Sequence, residues 1–114
     1  MSENTIKYQI VDNARGIAIV QAPEQIIGGS EVYDLSLIAT KVNKSEVNHL
    51  VLDASKIVAI NSSGIGTIIA IMRTLAAKSI SFSILNSSSK MLEILKITHL
   101  DKVFKMINNL DEIQ

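Results

Sequence analysis

The stretch Ile57-Val58-Ala59-Ile60-Asn61-Ser62-Ser63-Gly64-Ile65-Gly66 constrains this chain more than any other. A short apolar run breaks at Asn-Ser-Ser-Gly and then passes into a longer segment whose apolar residues recur at helical spacing as far as Lys78. The pattern predicts an extended segment that delivers Asn61 and Ser62 to the start of a helix. Both are good N-caps, each worth about 1 kcal/mol relative to alanine. The same place suits an anion, because a helix start offers unsatisfied amides and the positive end of the dipole. On residue chemistry alone the cap is favoured, with Gly64 and Gly66 permitting close packing of the first turn.

Strand and helix patterns alternate around that stretch. Lys7-Tyr8-Gln9-Ile10-Val11 and Ile17-Ala18-Ile19-Val20-Gln21 read as strands. Asp12-Asn13-Ala14-Arg15-Gly16 between them is turn chemistry, so an antiparallel hairpin is expected. Pro23 lacks an amide hydrogen and ends the pairing. Gln25-Ile26-Ile27-Gly28-Gly29-Ser30 reads as a loop, with the two isoleucines either tucked under the next helix or forming an exposed contact surface. Ser30 and Glu31 start an amphipathic helix over residues 30 to about 44, with Val32, Leu35, Ile38 or Ala39, and Val42 on its apolar side.

Asn48-His49-Leu50-Val51-Leu52-Asp53 fits a buried central strand. In the helix after the central stretch, Ile65, Ile68, Ile69, Met72, Leu75 and Ala76 share one face, Thr67, Arg73 and Thr74 lie mostly off it, and Lys78 suits the carboxyl-terminal dipole. Ile80, Phe82 and Ile84 alternate with serines as a strand. Asn86-Ser87-Ser88-Ser89 is a loop and cap before a short helix carrying Met91, Leu92 and Leu95 to about Ile97. Residues 103–106 read as a last strand, and Asn108-Asn109 as the cap of a final turn. The order β-β-α-β-α-β-α-(β)-(α) predicts an α/β fold. Its mixed sheet has an antiparallel N-terminal hairpin, then right-handed βαβ units with helices packed on them.

Composition narrows the function classes. At 114 residues the chain is expected to be one domain. With 47% hydrophobic and only 4% aromatic residues its core must be aliphatic. There is no cysteine, which excludes disulfides and thiolate metal sites. Formal net charge is zero without a basic cluster, which argues against nucleic acid. The N-terminal residues have neither a basic nor an apolar signal region. The longest uncharged run, residues 57–72, is shorter than the ~20 residues of a spanning helix. A cytoplasmic protein without membrane insertion is expected.

Catalysis and cofactors find little support. A nucleophilic Ser62 or Ser63 needs an activating base, and neither His49 nor His99 is tied to them by local sequence. Gly64-Ile65-Gly66 lacks the third glycine of a dinucleotide loop, since Ile69 stands in its place, and no Gly-Lys-Ser/Thr phosphate loop occurs. No His, Asp and Glu cluster suggests a metal. No catalytic residue, metal ligand or cofactor is therefore assigned.

Val51-Leu52-Asp53, then Ile60-Asn61-Ser62-Ser63-Gly64-Ile65-Gly66, then Leu95-Lys96-Ile97-Thr98-His99-Leu100-Asp101-Lys102-Val103-Phe104 follow in this order and spacing. In these segments the chain resembles STAS domains, and most nearly the single-domain anti-sigma factor antagonists, over essentially its whole length. The resemblance implies a non-enzymatic partner switch. In such systems the unphosphorylated domain binds a serine kinase of histidine-kinase-like fold that doubles as an anti-sigma factor. The kinase phosphorylates a serine of the motif, and a PP2C-type phosphatase reverses it.

By position the phosphoacceptor is Ser62, and Asn61, Ser62, Ser63, Gly64 and Gly66 form the partner-binding surface. The family's first loop commonly carries Gly-x-Leu-Asp, with its Asp in partner contacts. Here the stretch is Ala22-Pro23-Glu24-Gln25, which puts Glu24 and Gln25 on that surface. Family members usually have Asp where this chain has Asn61. The alternative implied by the same resemblance is an accessory or scaffold subunit that needs no phosphate, for example in an ABC-type lipid transporter or a stress-signalling complex. A third possibility is nucleotide or other anion binding at the helix start.

Overall fold

Three strands in register create one apolar face. Ala18, Leu50 and Phe82 lie side by side across the sheet, and Val20, Leu52 and Ile84 form the next row. All six are buried, together with Leu35, Ile38 and Ala39 from one helix, Ile68, Ile71 and Leu75 from a second, and Met91 and Leu95 from a third. The computed structural model describes residues 6–113. Its elements run β1 (Tyr8–Asp12), β2 (Ile17–Gln21), β3 (Gln25–Ile26), α1 (Ser30–Lys41), β4 (His49–Asp53), β5 (Ala59–Ile60), α2 (Ser62–Ala77), β6 (Ser81–Leu85), α3 (Ser89–Ile97) and β7 (Met106–Ile107). Short 3-10 turns occupy Leu100–Lys102 and Leu110–Glu112.

The main sheet has the order β1-β2-β4-β6-β7. β1 and β2 are antiparallel and every later neighbour is parallel, so this is the expected hairpin followed by βαβ units. The turn of the hairpin places Gly16 at φ +67°. The second face of the sheet is covered by Leu110 and Ile113. Ile113 packs there with Ile17, Val51, Leu85 and Ile107, and the Arg15 guanidinium donates to the Ile113 carbonyl. β4 is thus apolar on both sides, which is why it reads as a continuous hydrophobic run.

Several expectations are corrected. Residues 25–26 are not loop but a strand, β3, which pairs in parallel with β5 as a separate two-stranded ribbon. A two-residue strand is too short for periodicity to reveal. α1 ends at Lys41 rather than near Lys44, because Val42 turns to extended backbone at ψ 133°. Ser30 does not cap it. Gly29 occupies the cap position without a side-chain bond, and the Glu31 carboxylate instead reaches back to accept from the Ile27 and Gly29 amides. The last strand is β7, not residues 103–106: Phe104 turns inward and meets Phe82 edge to face at 6.4 Å.

The buried side of α2 is rotated from the expected one. Gly64, Ile65, Thr67, Ile68, Ile71 and Leu75 are buried, while Ile69 and Met72 are only half-buried and Ala76 is exposed. Thr67 tolerates burial because its hydroxyl donates to the Ser63 carbonyl at 3.0 Å. Lys78 serves another helix. Its ammonium donates to the carbonyls of Ala39, Thr40 and Val42 at 2.8, 2.9 and 2.9 Å, satisfying the otherwise unpaired end of α1. At the carboxyl terminus, Asn109 caps the last turn as expected, with Glu112 completing a capping box.

Candidate functional site: the start of helix α2

The ribbon of β3 and β5 positions the site. Gln25 pairs with Ala59 and Ile26 with Ile60. The Glu24 carbonyl accepts from the amides of Val58 and Ala59. β5 therefore arrives at Asn61 beside the β3 chain, and the helix begins at once. Asn61 is extended at φ −119° and caps α2, its Oδ1 accepting from the Gly64 amide at 3.0 Å. The first intrahelical bond runs from the Ile65 amide to the Asn61 carbonyl. The amides of Ser62 and Ser63 are left as helix-start donors without a helical acceptor.

Ser62 is the first residue of α2 and is exposed, as is Ser63. No acidic residue stands in the first turn, so the positive end of this helix carries no compensating side-chain charge. Gly64 is buried against the ribbon: a Cβ there would overlap the Ile26 carbonyl oxygen and lie 2.9 Å from Ile60 Cγ1. Gly66 behaves differently. A Cβ at position 66 meets nothing within 4 Å, so this glycine does not permit packing, contrary to expectation. It lies one turn beyond Ser62 on the same side of the helix, where it leaves exposed backbone.

The two isoleucines divide in burial. Ile26 is fully buried, and Ile27 is 45% exposed. Asn61 Nδ2 donates to the Ile27 carbonyl at 3.0 Å, so residues 27–29 lie against the helix start. Gly28, at φ +106°, faces Ser63. The structure thus brings together Asn61, Ser62, Ser63 and Gly64 with Ile26, Ile27 and Gly28. Glu24 and Gln25 are both exposed and stand just before and at the start of β3. They line a cleft of about 700 Å³ with Gln21, Pro23 and Glu31, and Ser62 is not among its walls.

Glu31 is the site residue that sequence reasoning missed. Backbone amides, that of Ile27 first, hold its carboxyl below the usual carboxylate value. The available signal was an acid placed just after Gly28-Gly29-Ser30, where a carboxylate can turn back on the preceding amides. Among the described residues neither histidine is hydrogen-bonded to Ser62 or Ser63. His49 lies at the amino-terminal end of β4, buried, with Nε2 2.6 Å from Ser83 Oγ. Burial, reinforced by Lys105 and Arg15, pushes its pKa below 6.5. His99 is exposed in the left-handed region. Among the described residues, no three His, Cys, Asp or Glu side chains converge as a metal site.

The ribbon-fed helix start, the parallel sheet after an antiparallel hairpin, and the three helices define the class. The STAS domain model matches residues 8–113, and the chain belongs to the STAS domain family. Solved structures share the architecture. The Thermotoga maritima protein TM1081, described as a candidate anti-sigma factor antagonist, superposes with a TM-score of 0.75 at 20% identity, covering 96% of this chain and 91% of its own. An anti-sigma factor antagonist from Mycobacterium paratuberculosis gives 0.71 at 21% identity, covering 96% and 92%. The Bacillus cell fate determinant SpoIIAA in its phosphorylated form gives 0.68 at 18% identity, covering 94% and 93%. Among the described residues no helix is long and apolar enough to cross a membrane.

Proposed function

We propose that this protein is a cytoplasmic partner-switching regulator that acts by binding and not by catalysis, with Ser62 as a reversible phosphoacceptor. The observation that carries the reading is the placement of Ser62: exposed, first in α2, beside amides that no helical carbonyl uses. A phosphate there gains charge-assisted bonds and a favourable dipole, so the domain keeps its fold. It also adds about −1.5 to −2 charges to an otherwise uncharged first turn. Docking that surface on a partner then requires desolvating a dianion, which disfavours the complex.

The partners are a serine kinase of histidine-kinase-like fold, doubling as an anti-sigma factor, and a PP2C-type phosphatase. Asn61, Ser62, Ser63, Gly64 and Gly66 form the centre of the docking surface, with Glu24 and Gln25 at its margin by the start of β3. Incubation with a co-encoded serine kinase and ATP is expected to add one phosphate, mapped to Ser62 by mass spectrometry. A phosphate elsewhere, or none, overturns the switch. Ser62→Asp is expected to weaken kinase capture while leaving thermal stability nearly unchanged.

The exposed Ile27 beside a neutral helix start favours a second reading, a STAS accessory subunit that docks constitutively through an apolar contact. Co-purification with a transporter ATPase, with Ser62 unmodified throughout, decides for it.

A further inference from the structure

We propose that the Asn61 carboxamide is a latch that fastens the loop of residues 27–29 to the first turn of α2, so that Ile27 is held in one position beside the serines. Asn61 uses both ends of its amide. Oδ1 accepts from the Gly64 amide at 3.0 Å, and Nδ2 donates to the Ile27 carbonyl at 3.0 Å. Chemistry fixes this orientation, because the flipped amide would set nitrogen against N–H and oxygen against C=O.

The other polar group of the same residue is held from α1. Glu31 Oε2 accepts from the Ile27 amide at 2.8 Å and from the Gly29 amide at 3.0 Å. Side chains from two helices therefore clamp both backbone groups of Ile27, while its side chain stays 45% exposed. Aspartate keeps the cap to Gly64 but cannot donate to the Ile27 carbonyl, since an ionised carboxylate only accepts. Serine also caps, without charge, but its hydroxyl is too short to replace the Nδ2 donor. Asn61 is thus a positioning residue. What the held loop meets rests on the docking reading above; the latch itself does not.

The test is amide hydrogen exchange by NMR on the whole domain and on Asn61→Asp and Asn61→Ser. Loss of one hydrogen bond of ordinary strength corresponds to roughly a threefold to tenfold faster opening. Exchange at Ile27 and Gly29 is expected to accelerate by that factor in both variants, with the Gly64 amide still protected. Unchanged exchange at Ile27 and Gly29 overturns the latch. Acceleration in Asn61→Asp alone overturns it as well, since charge and not the missing donor would then be responsible.

The loop's place in docking is read separately with Ile27→Ala, which leaves the clamp intact. Kinase assays are expected to show KM for the domain raised roughly fivefold or more with kcat retained. An unchanged KM overturns the loop's part in docking. Failure of a kinase to act on the wild-type domain overturns the switch reading and not the latch, which exchange measures by itself.

Discussion

Gly64 of α2 is seated directly on the Ile26 carbonyl of β3, with no room between them for a methyl group. The opposing atom is backbone, so the ribbon and the helix must separate if position 64 gains a side chain. Gly64→Ala is therefore expected to destabilise the domain by about 1–3 kcal/mol. The gain in helix propensity offsets only part of that strain. A urea transition with a lowered midpoint and an unchanged slope is the predicted signature, and an unshifted midpoint would show that the contact is not close.

Gly66 predicts the opposite sign. It is exposed, sits inside a helix, and has open space where a Cβ would go. Gly66→Ala is expected to stabilise the fold by about 0.5–1 kcal/mol. If bare backbone beside Ser62 is what a partner approaches, the same substitution weakens kinase capture measured by surface plasmon resonance. Stabilisation without any loss of capture would remove Gly66 from the docking surface.

Lys78 holds three carbonyls at the end of α1. Lys78→Met keeps an apolar stem and loses the ammonium. Solvent reaches part of this site, so the expected cost is about 1–3 kcal/mol rather than the full sum of three charged bonds. Differential scanning calorimetry reads it as a lowered Tm, and faster exchange of the Val42 amide would locate the loss at the end of α1.

The buried His49 predicts an acid-side loss of stability. Its folded pKa lies below 6.5, from burial first and then from Lys105 and Arg15. The unfolded chain therefore binds this proton more readily than the folded one, and stability rises with pH across the gap. The contribution is complete above about pH 6.5 and declines as pH falls towards the folded value. Melting temperatures between pH 7.5 and pH 5 are expected to fall for the native chain and to flatten in His49→Gln. Glu31 acts lower: its folded pKa is below 4.5, so its contribution is present above that pH and lost as pH falls through the folded value.

Much of this was legible in the sequence, for identifiable reasons. Strands of five residues with turn chemistry between them, such as the hairpin of β1 and β2, declare themselves by period and punctuation. The family resemblance rests on segments that the structure places at β4, the start of α2, and the end of α3. Asn61 was recognisable as a cap because its residue type and position suffice. β3 was not legible, since two residues carry no period and Ile26 owes its burial to the ribbon and to Gly64. Nor were the partners of Lys78 and the Asn61 Nδ2, which lie in backbone groups of distant segments. The rotated face of α2 has a local origin instead: Thr67 is buried because its hydroxyl finds a carbonyl in its own helix.

Lys78 and Asn61 stand at opposite ends of α2, and each reaches across to the chain of α1. Asn61 grips the loop that leads into α1, and Lys78 grips the carbonyls that close it. Sliding or rotation of the two helices against each other would therefore break polar bonds at one end or the other. Under the proposed function, a phosphate added at Ser62 would then have no lever with which to reshape the domain. Such a mark would be read where it sits, as a change in what the surface offers rather than in the shape beneath it.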